Sequence, residues 1–347
     1  MATQETQKLD NIIASRRAML LGGGAALAAL ALSTTAKAAT TVTTYTDADI
    51  LNFALNLEYL EANFYYMAAF GTTIDKPNAA STAAGGPTAG IGIGAGSATA
   101  GITATTTGAT IVPFTLPVVK SDAIETAVEE GKHVVFLRGA LGAAAVAQPP
   151  LDLSVAAFTT VANAAGIAGT FNPYLLDPFF LIGAYVFEDV GVSAYHGAAP
   201  LLTTTATGKA YLQAAAGILA VEAFHAGLVR TTINLIDATT GTNYSALTQQ
   251  ISALRATLSK AVAPATPPYP TGTYGDDVPL TTNTTYSLAG GAPVPATTII
   301  DADQTNIIAF SRTTTQVLNI VTGGGAAVPG TKATGVFFPS GLNGTFA

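Results

Sequence analysis

The sequence predicts an all-α protein whose core is a four-helix bundle. Four long apolar runs have the length of bundle helices, and each holds ionisable side chains that are costly to bury without a partner. Two runs contain a Glu-x-x-His step, and the other two contain isolated glutamates. These residues are Glu130 with His133, Glu222 with His225, Glu58 with Glu61, and Glu188. Such a set, spread over four helices, is typical of a bundle that holds two metal ions.

Residues 1–38 are predicted to be an export signal that takes no part in the fold. Arg16 and Arg17 precede an apolar stretch from Ala18 to Leu32, and Ala36-Lys37-Ala38 supplies a small-x-small cleavage site. The pattern indicates twin-arginine export of the folded protein to the periplasm or the extracellular space. The apolar stretch is short for a membrane span, so we expect no stable span after cleavage. The alternative is an uncleaved N-terminal anchor.

Composition narrows the classes of partner and of metal site. Cleavage of the signal removes four basic and two acidic residues, Lys8, Arg16, Arg17, Lys37, Glu5 and Asp10. The mature chain then has 10 Lys+Arg and 19 Asp+Glu, a net charge near −9. This balance argues against binding to nucleic acid or to an anionic membrane. Charged residues are only 10% of the chain, so self-association as a homo-oligomer or surface assembly stays open. The absence of cysteine excludes disulfides, zinc–thiolate sites and rubredoxin-type iron centres.

The first helix has clear start and stop signals. Thr46 and Asp49 form a predicted capping box, and the helix is expected to end near Phe70, before Gly71. Its asparagines, Asn52, Asn56 and Asn63, fall on one narrow strip, which we interpret as the solvent side. Glu58 and Glu61 lie away from that strip, among apolar residues, and are expected to point inward.

The remaining elements follow in order along the chain. Residues 72–117 form a Gly/Ala/Thr-rich insertion without helical period, of a length that is either functional or poorly ordered. Helices are then predicted at 121–146, at 177–196, where Asp177 is the N-cap and Pro178 the first helical residue, and at 207–236, with a weaker one at 244–262. Residues 263–299 read as irregular with a short strand, followed by a helix at 301–321 and a glycine-rich tail. We therefore predict one bundle domain over 39–262 and an extension over 263–347.

The spacing of the ionisable residues assigns roles to them. Residues i and i+3 share a helix face, so each Glu-x-x-His step can bind one metal while the glutamate also bridges to a second. Glu58 and Glu188 are then terminal ligands, one for each metal. Tyr65 and Tyr195 each follow one of these glutamates by seven residues, which gives the two halves the same pattern. The predicted cofactor is two divalent metals, iron or manganese.

Other residues near the predicted site have more than one interpretation. Glu61 is expected to support the ligands from behind or to be an alternative ligand. Tyr65 and Tyr195 are expected to pack in the core and donate a hydrogen bond to a ligand carboxylate, or to have a redox role. Glu129 is expected to be an exposed neighbour. His196, at a helix end, is expected to interact with the helix dipole, with ligation as the alternative.

Three segments resemble the bacterial ferritin-like proteins that are related to plant desiccation-related proteins. They are Leu51 to Tyr65 in the first helix, Ala309 to Val321, and Gly335 to Gly344 in the tail. The resemblance covers the four bundle helices and both ends of the mature chain. It implies a ferritin-like fold, export or stress association and no settled reaction, and the wider analogy with bacterioferritin and rubrerythrin matches the six proposed ligands. The insertion and much of 263–299 fall outside it.

Two functions compete at this point. The first is a di-metal oxidase or peroxidase that acts in metal-dependent oxidation or in oxidative or desiccation stress. The second is a non-enzymatic structural or surface-assembly protein that keeps the bundle as a scaffold. Fold alone does not separate them.

Overall fold

The structure is a computed structural model that describes residues 45–88, 90–91, 104–262, 275–280, 284–286, 294–296, 299–303, 306–327 and 332–346. The predicted export signal, residues 1–38, lies outside these residues. The described α-helices are α1 (Asp47–Phe70), α2 (Ala79–Ala83), α3 (Pro117–Leu141), α4 (Val155–Ala164), α5 (Asp177–Tyr185), α6 (Glu188–Ala198), α7 (Ala206–Thr240), α8 (Ser245–Ala261) and α9 (Thr314–Val321). Two short strands, β1 (Thr284–Tyr286) and β2 (Val294–Ala296), pair antiparallel. The predicted all-α fold class is confirmed.

Four helical segments build the bundle. Helix α1 packs on α3, and α7 packs on α5 and α6, which together make one interrupted helix. Contacts of α1 with α6 and of α3 with α7 close the bundle. Buried positions of α7 recur every three or four residues, as expected for a helix with one inward stripe: Ile218, Glu222, His225, Val229, Ile233 and Ile236.

Helix α1 is the central helix of the molecule. Thr46 and Asp49 form the predicted capping box, and Gly71 ends the helix with a φ of 68°, a left-handed conformation that glycine adopts without strain. The asparagine strip, however, is not exposed to solvent, and that interpretation is wrong. Asn56 and Asn63 are fully buried, and their amides bind the backbone of the tail residue Asn343 and the side chain of Gln148.

The predicted third helix is broken at residues 186–187. Between α5 and α6 the Tyr185 carbonyl accepts a hydrogen bond of 2.6 Å from the Arg255 guanidinium of α8. A side chain that takes a carbonyl in this way interrupts the helical ladder. Asp177 also differs from its predicted role, because its carboxylate accepts from the backbone N–H groups of Thr115 and Leu116 and so lies at the start of α3.

Further boundaries differ from the expected ones. Helix α3 begins four residues earlier and ends five earlier than predicted, the insertion contains the short helix α2, and α9 covers only the last part of the helix expected at 301–321. Helix α4 was not predicted. Helices α4, α8 and α9 form an outer layer on the α1–α6 side, where α9 contacts both α8 and α6.

Helix α7 is the one described helix that is long and apolar enough to cross a membrane, with a mean hydropathy of 1.5 over its most apolar window. It also supplies buried Glu222, His225 and Arg230 to the bundle interior. These buried ionisable groups show that α7 packs as one of the four bundle helices.

Candidate metal centre

Four helices deliver the predicted ligands to one place in the bundle interior. Helix α1 supplies Glu58, α6 supplies Glu188, and α3 and α7 each supply a Glu-x-x-His step. All four glutamates are 0–1% exposed. Since a buried carboxylate without a partner is costly, this convergence needs a compensating charge.

The two histidines lie on either side of Glu130. His133 Nδ1 is 3.2 Å from Glu58 Oε2, 3.6 Å from Glu130 Oε2 and 3.9 Å from Glu222 Oε1. His225 Nδ1 is 3.0 Å from Glu130 Oε1 and 3.6 Å from Glu188 Oε2. The two oxygens of Glu130 thus face different histidines, as a bridging carboxylate would.

Eight buried polar atoms of these six side chains make no hydrogen bond of acceptable geometry to a described residue, although the two Nδ1 atoms among them lie 3.0–3.9 Å from carboxylate oxygens of the same set. Glu130 and Glu222 each contribute both oxygens, whereas Glu58 and Glu188 each contribute only Oε2, and the histidines contribute Nδ1. Two bridging glutamates, two terminal glutamates and two histidines would present this number of atoms to two metals. Buried polar groups are otherwise almost always hydrogen-bonded, so the eight atoms require an explanation.

The donor set fits divalent metal ions. One ligand atom each from Glu58, Glu130, His133 and Glu222 lie within 4.8 Å of one another. Two ligands on opposite sides of an ion are about 4–4.4 Å apart, so only a small contraction is needed. Four ligand carboxylates would also balance the charge of two divalent ions. Carboxylate and imidazole ligands suit iron, manganese and zinc alike, so the residues fit two divalent ions without selecting one.

Comparison with known proteins agrees with this geometry. The family model described as a ferritin-like domain matches residues 46–235, the span that contains all six predicted ligands. The chain belongs to the ferritin-like family. It is also 33% identical over 188 residues to the desiccation-related protein PCC13-62 of Craterostigma plantagineum. That match covers 53% of this chain and 52% of the relative, so it spans about half of each. No solved structure matches the chain.

Two tyrosines donate hydrogen bonds to the predicted terminal ligands from the opposite side of the bundle. The Tyr65 hydroxyl donates to Glu188 Oε1, and the Tyr195 hydroxyl donates to Glu58 Oε1. Burial, with the neighbouring glutamates, raises the pKa of both tyrosines well above 10, so each hydroxyl keeps its proton and remains a donor. Each terminal carboxylate therefore keeps one oxygen fixed and the other directed to the centre.

Glu129 has a role that the sequence analysis did not assign. It was expected to be an exposed neighbour, and its side chain is 35% exposed, but its Oε2 lies 2.8 Å from His225 Nε2. A carboxylate that accepts from one imidazole nitrogen leaves the other free to bind a metal, here Nδ1. The equivalent position on α7 is Val221, so His133 has no such partner from that helix.

The remaining predicted residues lie as follows. Glu61 is buried next to the cluster, makes no hydrogen bond to a described residue and lies near Gly191 of α6. His196 lies away from the centre, and its Nδ1 contacts the backbone carbonyls of Ala309 and Phe310 at 2.9 and 3.2 Å. The assignment of metal ligands remains a prediction from this geometry.

The metal-free cluster holds protons. Burial raises the pKa of Glu58 to about 7 and that of Glu188 to about 8, and it raises the pKa of Glu61 and Glu222 as well. Burial alone would lower the pKa of His133 and His225, but the adjacent glutamates raise both to about 11. Burial alone would raise the pKa of Glu130, but the two histidines beside it lower that pKa. Without metal, bound protons therefore supply the positive charge that compensates the buried carboxylates. Metal ions would replace these protons.

A second acidic cluster adjoins the first but is neutralised by arginine. Asp189, next to Glu188 in sequence, pairs with Arg230 at 3.0 Å and with Arg255 at 2.8 Å. Asp277 pairs with Arg255 at 2.8 Å and with Arg312 at 3.0 Å. Because guanidinium groups already compensate these carboxylates, this cluster is a structural ion-pair network.

Proposed function

We propose that this ferritin-like protein binds two divalent metal ions, iron or manganese, and uses them in an oxidation linked to oxidative or desiccation stress. The observation that carries the proposal is the convergence of eight buried atoms that make no regular hydrogen bond, on Glu58, Glu130, His133, Glu188, Glu222 and His225. The name of the relative PCC13-62 supports the link to desiccation. We further propose that the mature protein acts outside the cytoplasm after twin-arginine export.

The residues around the centre would each do a defined task. Glu130 and Glu222 would bridge the two metals, while Tyr65 and Tyr195 orient the terminal glutamates. Glu61, the fifth buried carboxylate, has a raised pKa and would hold a proton beside the centre. When bound, two Fe²⁺ or Mn²⁺ ions would supply two electrons, one from each ion as it is oxidised to the +3 state, which with two protons reduce O₂ to hydrogen peroxide or peroxide to water. The apolar bundle around them would limit the access of water.

The test begins with metal content. The mature protein, residues 39–347, is reconstituted with Fe²⁺ or Mn²⁺, and metal per chain and consumption of O₂ or peroxide are measured. Two metals per chain with turnover would support the proposal. The double variant Glu130→Gln, Glu222→Gln should lose both, whereas Glu125→Gln, at an exposed position of the same helix, should lose neither. A folded protein that binds no metal would contradict it.

A specific surface favours the alternative, a non-enzymatic protein that assembles with copies of itself. The outer sides of α3 and α7 expose large apolar residues, among them Phe224 at 64% and Phe136 at 47%. The chain carries few charges that would oppose association. Sedimentation of the mature protein and of Phe224→Gln tests it: an assembly that dissociates in the variant, with no metal bound, would favour this function over oxidation.

A further inference from the structure

An apolar cavity of about 110 Å³ lies between the bundle and the outer layer of helices. Helices α1 and α6 form its inner wall, and α4, α8, α9 and the tail form its outer wall. Its lining is mostly aliphatic and aromatic, for example Leu57, Leu60, Val190, Ile251, Ile320 and Phe337. The segments outside the four-helix bundle therefore enclose a space that the bundle alone would leave open.

The inner end of the cavity adjoins the metal centre. Glu61 and Gly191 line it there. A Cβ at position 191 would lie 2.3 Å from Glu222 Oε2 and 3.4 Å from Glu61 Oε1, so the cavity wall at Gly191 lies next to the Glu222 carboxylate. Glu61 is 5% exposed, compared with 0–1% for the four ligand glutamates, and is the carboxylate of the cluster that faces this space.

The outer end of the cavity reaches the surface. Thr160 and Ala164 of α4 and Gly323 after α9 line the cavity and are exposed. The lining thus runs from exposed residues at the surface to Glu61 beside the candidate metal centre.

The chemistry of the lining selects the class of ligand. Its charged side chains are Glu61 and Arg255. Arg255 is occupied by Asp189, Asp277 and the Tyr185 carbonyl, so it offers no free cation to an anionic ligand. Apolar cavities of comparable size, about 150 Å³, bind benzene or xenon and exclude water.

We propose that this cavity binds a small apolar molecule, or the apolar end of a longer one, and holds it against the metal centre at Glu61 and Gly191. The inference rests on the proposed metal function and deepens it, because it makes the substrate of the centre apolar. Binding to the cavity itself requires no metal, since the lining contains none of the six ligands.

The test uses benzene in solution and xenon in crystals of the mature protein. Benzene binding is measured by isothermal titration and by the rise in melting temperature, with and without metal. Ala164→Phe and Thr160→Phe place a phenyl ring at the opening, and each should weaken benzene binding by at least about tenfold. Ala156→Phe is the matched control, because it lies at an exposed position of the same helix outside the cavity and should bind benzene like the parent.

Two results would overturn the inference: no benzene or xenon binding by the parent protein, or equal binding by the rim variants and Ala156→Phe. In the Co²⁺-loaded protein, benzene should also shift the visible absorption of the metal, and an unchanged spectrum would overturn the placement against the centre. The two readouts separate this inference from the proposed function. A protein that binds benzene but no metal would support the cavity as a binding site and contradict the proposed oxidation.

Discussion

Glu129 makes the two halves of the candidate metal centre chemically different. It binds Nε2 of His225, while Val221 stands at the equivalent place for His133. A carboxylate behind a ligand histidine makes that histidine more basic and fixes its orientation. The His225 half should therefore bind its metal more tightly than the His133 half.

We expect Glu129→Gln to weaken one of the two metals by about 10-fold or more and to leave the other near its original affinity. Stepwise titration of the metal-free protein with Mn²⁺ or Co²⁺ measures both affinities. Glu125→Gln, exposed on the same helix, is the control and should change neither. Equal weakening of both metals by Glu129→Gln would argue against a local effect on His225.

At the level of residues, the sequence could predict the inward-facing glutamates but not all their partners. Glu58 and Glu188 are recognisable because each is followed seven residues later by a tyrosine. The hydrogen bonds cross over, from Tyr65 to Glu188 and from Tyr195 to Glu58. This pairing depends on which helices face each other, which the spacing does not show. Glu129 was missed for the same reason: its partner, His225, lies on α7, and no spacing within α3 indicates it.

Among the helices, α6 must come unusually close to the metal centre, and Gly191 allows this approach. A methyl group there would lie 2.3 Å from Glu222 Oε2, and the same helix carries the candidate ligand Glu188. Real side chains do not tolerate such a contact, so either Glu222 or α6 must shift.

Gly191→Ala is therefore expected to lower metal affinity by at least about tenfold, although alanine is the better helix former. Gly217→Ala, on α7 with no atom within 4 Å of the added Cβ, should bind metal normally and gain up to about 1 kcal/mol of stability. Metal titration and urea unfolding of both variants provide the comparison. Normal metal binding by Gly191→Ala would show that Glu222 is not held where the structure has it.

Element boundaries were predictable where local signals decide them. The capping box at Thr46 and the glycine at 71 fix both ends of α1 from adjacent residues. The break between α5 and α6 depends on Arg255, which lies about seventy positions further along the chain. The residues next to the break therefore do not predict it. The buried asparagines misled for a related reason, since the loop and tail that bind them are distant in sequence.

For the whole molecule, a buried arginine network joins the segments after residue 262 to the bundle. Arg312 lies in the segment Ala309 to Val321, which resembles the ferritin-like family, and is 1% exposed. Its guanidinium binds Asp276, Asp277 and the Ser193 hydroxyl of α6. The tail adds Phe337, whose ring centroid lies 5.0 Å from that of Phe187. The predicted extension therefore contributes both apolar and charged side chains to the core. Several of the chain's few charged residues are buried there.

Arg312→Met should destabilise the protein by about 3–5 kcal/mol, because it leaves buried Asp276 and Asp277 without one of their cations. Lys209→Met, at an exposed position of α7, removes the same charge and should change stability by less than about 0.5 kcal/mol. Urea unfolding measures both. A loss below about 1 kcal/mol for Arg312→Met would mean that the network contributes little.

Removal of the metal should make stability depend strongly on pH. A carboxylic acid whose pKa is higher in the folded protein than in the unfolded chain stabilises the fold at low pH, and this contribution is lost as the pH rises through the folded value. Glu58 and Glu188 have folded pKa values of about 7 and about 8, against an ordinary 4.5. The adjacent glutamates raise the pKa of His133 and of His225 from 6.5 to about 11, so these histidines lose their contribution between about pH 6.5 and about pH 11.

The melting temperature of the metal-free protein should therefore fall from about pH 4.5 to about pH 8 as the two glutamates lose their contribution, and further up to about pH 11 as the two histidines lose theirs. Metal binding needs ionised carboxylates and neutral histidines, so metal affinity rises over this interval and the melting temperature of the loaded protein should fall much less. The gap between the two forms should then widen with pH, and Glu58→Gln should reduce the pH dependence of the metal-free form, because one titrating carboxyl is gone. Scanning calorimetry at several pH values, with and without chelator, measures this gap. If the gap stays constant, metal and protons do not compete for the cluster, and these six side chains are not the metal site.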